Sequence, residues 1–361
     1  MRKTVLFIFL AGVLALSAPA QEANPLAVLQ SDASLEEKMN ACRALALSGD
    51  AAAVPALAAL LDNPELAHMA RYALEPMPHP EADAALRAAL AKTSGNLKIG
   101  LISSIGVRRD AQAVPALAAL LSDADAEIVR AAALALGAIA TPDAAQVLAD
   151  ALAAGDASPA RVQHLCDGLM ACVERQAASG QHDEARAIYD RLLALPDAPR
   201  HVRAAALRGA ILMRDGDRDM ALLTDALRGE DADDFRTALR AARELQAREQ
   251  TADTLAALLP ALSDDRKVRV MEILGMLGGA AAGKAALAEA RQGPIEVRTA
   301  ALAALTQMGH RPGIELMMEL AWTEDGDLAR AARRALSYFP GGEGDAAVLA
   351  LLRHAQPLAR L

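Results

Sequence analysis

From residue 34 onward, apolar residues recur three and four positions apart in stretches of 11 to 16 residues, separated by short polar breaks. That period gathers apolar side chains on one face of a helix, and the stretches are too long for ordinary strands. The pattern predicts paired amphipathic helices. The breaks Ser48-Gly49-Asp50, Thr141-Pro142-Asp143, Asp215-Gly216-Asp217 and Pro340-Gly341-Gly342 supply the Gly, Pro and Asp that stop one helix and cap the next. Ser34 and Glu37 form a capping box that opens the first helix. His79-Pro80-Glu81 reads as a helix start, with Pro80 at the first helical position and Glu81 favoured by the helix dipole. A further helix is expected over residues 313–322.

The pattern also repeats. Residues 53–61 read AVPALAALL, and residues 113–121 read the same nine letters, displaced by 60 positions. A second marker shows that 60 is two units. It is a basic residue early in a helix, ahead of an Ala and Leu run, at Arg43, Arg71, Lys98, Arg130, Arg161, Arg203, Arg236, Arg269, Arg298 and Arg330. The steps are 28, 27, 32, 31, 42, 33, 33, 29 and 32, so the unit is about 30 residues. One pair of amphipathic helices cannot bury its apolar face alone, so each pair must stack on its neighbours. The expected fold is all-α, an α-α superhelix of about ten stacked helix pairs. Ala runs at residues 131–133 and 204–206 let backbones approach, and Leu134, Leu207 and Leu302 are expected in the gaps between helices.

Residues 125–137, DAEIVRAAALALG, and Ala113-Val114-Pro115-Ala116-Leu117 resemble the HEAT-like repeats typified by phycobilisome-lyase relatives. The resemblance spans about residues 34–353. It implies a HEAT-like α-solenoid, and such repeats serve as scaffolds, adaptors, lyases and appendages of exported enzymes. The 42-residue step departs from the pattern. There Gly180, Ala185, Tyr189 and Leu192 follow a spacing similar to a tetratricopeptide repeat, although Pro196 falls one position early. The expected organisation is a signal over residues 1–20, a flexible segment over 21–33, HEAT-like repeats over 34–156, a TPR-like pair over 157–196 and further HEAT-like repeats over 197–361.

Composition fits this plan: 53% of the 361 residues are hydrophobic but only 2% aromatic, so the core must be aliphatic. Residues 1–20 combine Arg2 and Lys3, an apolar run and small residues at Ala18 and Ala20, the pattern of a cleavable signal cut between Ala20 and Gln21. The run is short of the roughly 20 residues that span a bilayer. The mature chain is therefore expected to be periplasmic or secreted, without membrane insertion. Loss of two basic residues takes the formal charge from -9 to -11, and acids and bases alternate along the helices, which disfavours nucleic acid. Cys42, Cys166 and Cys172 are expected as buried thiols, the alternative being a bridge from Cys42 to Cys166 or Cys172.

No catalytic residue, cofactor site or metal site is assigned. The basic ladder is expected to bond neighbouring repeats, a ligand-binding row being the alternative. Asp215, Asp217 and Asp219 open like a calcium loop, but Met220 replaces the required Gly and Ala226 the bidentate Glu, which leaves a capped helix-helix loop. The seven histidines show no helical zinc spacing. Asp233-Asp234 and Asp264-Asp265 suit helix starts. Trp322, beside Met317 and Met318, is expected in the core, an exposed partner anchor being the alternative. Residues 349–352 and 357–361 give no clear polar cap. The reading is an exported scaffold for a protein or peptide partner rather than an enzyme. Its alternative is the regulatory or substrate-presenting array of a larger enzyme assembly, or a lyase-like chaperone for a prosthetic group.

Overall fold

The computed structural model describes residues 24–154, 158–196, 198–214, 219–323 and 326–355, with side chains described up to residue 349. The expected signal over 1–20, Asp215 and Asp217 of the calcium-like loop, and residues 357–361 lie outside the described residues.

The described chain is helical, with no strand, and forms two compact units, Met1–Ile139 and Ala140–Leu361. In the first unit the helices are α1 (Pro25–Leu29), α2 (Leu35–Ser48), α3 (Val54–Ala58), α4 (Ala67–Leu74), α5 (Pro80–Leu90), α6 (Gly95–Arg108), α7 (Val114–Leu120) and α8 (Ala126–Ile139). Each odd helix packs on the even one that follows it. Even helices also pack on even ones, α2 on α4, α4 on α6 and α6 on α8, while α1, α3 and α5 form the second layer.

The second unit repeats the scheme. Its helices are α9 (Pro142–Ala153), α10 (Pro159–Ala178), α11 (His182–Leu193), α12 (Arg200–Met213), α13 (Ala221–Arg228), α14 (Ala232–Glu244), α15 (Arg248–Leu258), α16 (Asp264–Leu277), α17 (Ala280–Arg291), α18 (Ile295–Met308), α19 (Pro312–Thr323), α20 (Gly326–Ser337) and α21 (Glu343–Ala355). Even helices α10 to α20 contact one another in succession, and odd helices α13 to α21 do the same. Four pairs in one unit and six plus α21 in the other match the ten tiers counted from the basic ladder.

Local chemistry sets the helix ends as the sequence suggests. Ser34 Oγ accepts from Glu37 N at 3.3 Å, and Ser34 N donates to Glu37 Oε2 at 2.8 Å, so each satisfies a backbone or side-chain group of the other. That bonding holds the Glu37 carboxyl below its ordinary pKa. The two copies of the nonapeptide fold alike. Asp50 and Asp110 cap single 3₁₀ turns by accepting from Ala52 N at 2.9 Å and Gln112 N at 3.0 Å, after which Leu57 and Leu117 are fully buried. Asp233 and Asp234 stand in the first turn of α14, capped by Asp231, rather than before it.

The core is aliphatic. Helices approach closely where a glycine faces an alanine: a Cβ on Gly106 of α6 would lie 2.9 Å from Ala135 Cα of α8, and one on Gly275 of α16 would lie 3.1 Å from Ala304 Cα of α18. These contacts need no side chain on one helix and one no larger than a methyl on the other. Leu207 and Leu302 are buried as expected. Leu134 is not; at 38% exposure it corrects the expectation of an interior leucine. It stands four residues after Arg130 and seven after Glu127 on the solvent stripe of α8, so Leu134→Asp is expected to leave helicity intact. Trp322 is likewise corrected. It is 68% exposed, three residues after Glu319 and seven after Glu315 on the outer stripe of α19.

Helix α2 ends on Gly49 and α18 on Gly309, both left-handed, whereas α6 ends on Arg109 with φ of 57°. A non-glycine residue there costs roughly 1–2 kcal/mol, partly offset by the entropy glycine loses on folding. Arg109→Gly is therefore expected to stabilise the first unit by about 0.5–1 kcal/mol, read as a higher urea midpoint.

Candidate interaction surface

The ten ladder residues all fall on even helices α2 to α20, nine of them at the third to sixth helical position and Arg43 at the ninth. Their register is shared, but their bonding is not. On α4, Arg71 donates to Gly100 O at 3.0 Å and Ser104 Oγ at 3.2 Å on α6, and the Ser104 hydroxyl donates in turn to Glu75 at 2.7 Å. On α12, Arg203 donates to Asp234 Oδ2 of α14 at 2.7 Å and to Leu193 O at 3.1 Å. Both join successive repeats. On α8 and α16 the ladder residue pairs within its own helix, Arg130 with Glu127 at 2.9 Å and Arg269 with Asp265 at 3.5 Å. Arg236 with Asp233 and Arg330 with Asp327 do the same on α14 and α20. The expectation of one inter-repeat role for the whole ladder is thus corrected.

Stronger ties come from arginines outside the ladder. Arg108, the last residue of α6, keeps only 8% of its side chain exposed. It donates to Leu74 O at 2.7 Å, Glu75 O at 3.0 Å, Met77 O at 2.6 Å and His79 O at 3.1 Å, and to Asp83 Oδ2 at 3.0 Å. One guanidinium thereby satisfies the carbonyls that α4 leaves open at its C-terminus. In the second unit Arg266 donates to Leu227 O at 3.0 Å and Gly229 O at 2.6 Å, with its guanidinium 4.5 Å from the Phe235 ring centroid. Nothing in the repeat register marks these two residues; only the folded loops bring carbonyls to them.

The surface that remains differs between the layers. In the first unit every exposed large apolar residue among those described lies on an even helix. Leu47 of α2 is 89% exposed, Tyr72 of α4 53% and Val107 of α6 63%, and Leu134 of α8 continues the row. α4 and α6, each packed between two even neighbours and over an odd helix, have a single side left for solvent, and Tyr72 and Val107 occupy it. A recess of about 500 Å³ lined by Arg43, His68, Tyr72 and Glu75 joins α2 to α4 on that side.

In the second unit the even face of α12 and α14 carries a groove of about 910 Å³ with Arg200, His201, Arg208, Arg236 and Arg240 on its walls. Glu174, Asp233 and Glu244 offset them. Arg208 Nε donates to Glu244 Oε1 at 3.0 Å, and this pairing raises the arginine pKa and lowers that of the glutamate. Gly209 is needed beneath it, since a Cβ there would lie 2.2 Å from Tyr189 Cζ. Ala185, Tyr189 and Leu192 are buried on α11, and Gly180 turns the chain between α10 and α11 with φ of 79°.

All three cysteines are free and buried. Burial pushes each thiol up to about 11, with Asp167 adding to the effect at Cys166. Among the described residues no group of three or more His, Cys, Asp and Glu is placed to hold a metal, and no helix is long and apolar enough to cross a membrane.

Tiers of helix pairs, each layer stacking on itself, define a helical-repeat protein. The chain is HEAT-like: residues 82–165 match the HEAT repeats family, and the same helix pair recurs on either side of that segment. Among solved structures it is similar to human deoxyhypusine hydroxylase in complex with glycerol, at 21% identity and a TM-score of 0.32, covering 79% of this chain and 95% of that one. It is also similar to an engineered protein solved by a structural-genomics consortium, at 19% identity and a TM-score of 0.36, covering 87% of this chain and 98% of that one. No curated protein sequence matches significantly.

Two outcomes follow from this geometry. Arg108→Met leaves several carbonyls and Asp83 without their donor and is expected to cost about 3 kcal/mol. Urea unfolding should show the loss, and amide exchange should quicken first around residues 78–83. For the thiols, a pKa of about 11 leaves about one in a thousand ionised at pH 8. A thiol-specific reagent should therefore label none of the three in the native protein and all of them in urea.

Proposed function

We propose that this protein is an exported scaffold that binds a protein or peptide partner on the solvent side of its even-helix layer. The row Leu47, Tyr72, Val107 and Leu134 carries this reading. Four consecutive even helices each hold at least one large apolar side chain in water, α2 adding Leu35 at its start, while α1, α3, α5 and α7 expose none among the described residues. A surface that needed only to be soluble has no reason to concentrate such residues on one layer, whereas a binding face does. Polar neighbours Arg43, His68, Ser103 and Arg130 lie one helical turn before the four apolar residues, giving the row a polar margin. The export half of the proposal rests on residues 1–20, with their basic start, apolar run and small residues before Gln21.

Replacing Leu47, Tyr72, Val107 and Leu134 together by Ser tests the binding reading. The variant should keep its far-ultraviolet circular dichroism and unfolding midpoint, because none of the four fills the core. It should lose the partner that the wild type retains from a periplasmic extract, a drop of at least about tenfold in recovery. Equal recovery by both proteins would remove this face as the binding site. Fractionation of the producing cell, with mass spectrometry of the mature N-terminus, checks export and cleavage before Gln21.

A further inference from the structure

We infer that α19, α20 and α21 together carry a self-association site, filled by the same groove of a second copy of this chain. The groove lies among α19, α20 and α21 and has a volume of about 610 Å³. Leu336 forms part of its floor, Trp322, Val348 and Leu349 stand exposed around it, and Arg333 and Asp345 supply opposite charges.

Two observations converge on a second copy. First, exposed large apolar residues occur on odd helices only here among the described residues, at Trp322, Val348 and Leu349. Second, the groove bears one base and one acid that do not pair with each other: Arg333 donates to Ala321 O at 3.0 Å and uses only part of its fork. A partner of uniform charge would meet repulsion at one wall. A two-fold axis through the groove instead sets the Arg333 of each copy against the Asp345 of the other, as an isologous contact requires. The two tryptophans then approach the axis, where a large aromatic contributes most.

Nine residues line the groove, against roughly 20–30 a side in a standard interface, so the association is weak and reversible. Sedimentation and emission of Trp322, the chain's single tryptophan, report on it together. Between about 5 and 500 μM the weight-average mass of the full chain should rise from one copy toward two and level off there. Over the same range tryptophan emission should move to shorter wavelength. Leu349→Glu should weaken association at least about tenfold and hold the emission at its dilute position. Asp345→Arg alone should weaken it comparably, and Arg333→Asp combined with Asp345→Arg should return it to within about threefold of wild type. Thermal melts of each variant separate lost association from lost folding. A mass that stays at one copy throughout, or grows past two, contradicts the two-fold site. So does an emission independent of concentration, or a double charge swap no better than the single one.

Discussion

A helix pair built from alanine and leucine leaves one apolar face that only the next pair can cover, and the rest of this structure depends on that cover. Contacts therefore run from tier to tier within each layer, even helix on even helix and odd on odd. Glycine and alanine at the crossing points, such as Gly106 against Ala135, allow backbones to touch, so dispersion and burial act over the whole length of each crossing. With only 2% aromatic residues the chain has few bulky side chains to span a wider gap, and close approach compensates for that.

Polar chemistry completes the tiers where apolar packing ends. Helix termini present carbonyls and amides that must find partners, and the loops between helices are short. Arginine suits such places because one planar fork reaches several carbonyls at once, as Arg108 does for the end of α4 and Arg266 for the loop after α13. These ties join segments about 30 residues apart. The fold is held by contacts between neighbours in sequence, and the surface residues remain unencumbered.

Under the proposed function, that freedom is what binding would use. With the odd layer covering one side of the even helices, the opposite side is under less structural constraint, and its residues differ from place to place along the chain. The first unit holds an apolar row there, and the second holds arginines on α12 and α14 partly offset by Asp233 and Glu244. The three cysteines show the opposite regime: fully buried and kept protonated, they act as small apolar side chains within the tiers.

The sequence alone determined the helices, their ends and the tier count, because these follow from local periodicity and capping. The Ser34 and Glu37 box, the twin nonapeptides and the ladder residues stand where their spacing puts them. Part of the surface was legible too: Leu134 falls in step with Glu127 and Arg130, and Trp322 in step with Glu315 and Glu319, although residue type argued for burial at both. Only the tertiary structure decided which ladder arginines cross to the next tier and which turn back on their own helix. It alone showed that Arg108 and Arg266 tie the loops, and that Trp322, Val348 and Leu349 stand exposed around one groove. The physical reason is that helix register is fixed within a few residues of chain, whereas a side chain's partner and exposure depend on which distant segment packs beside it.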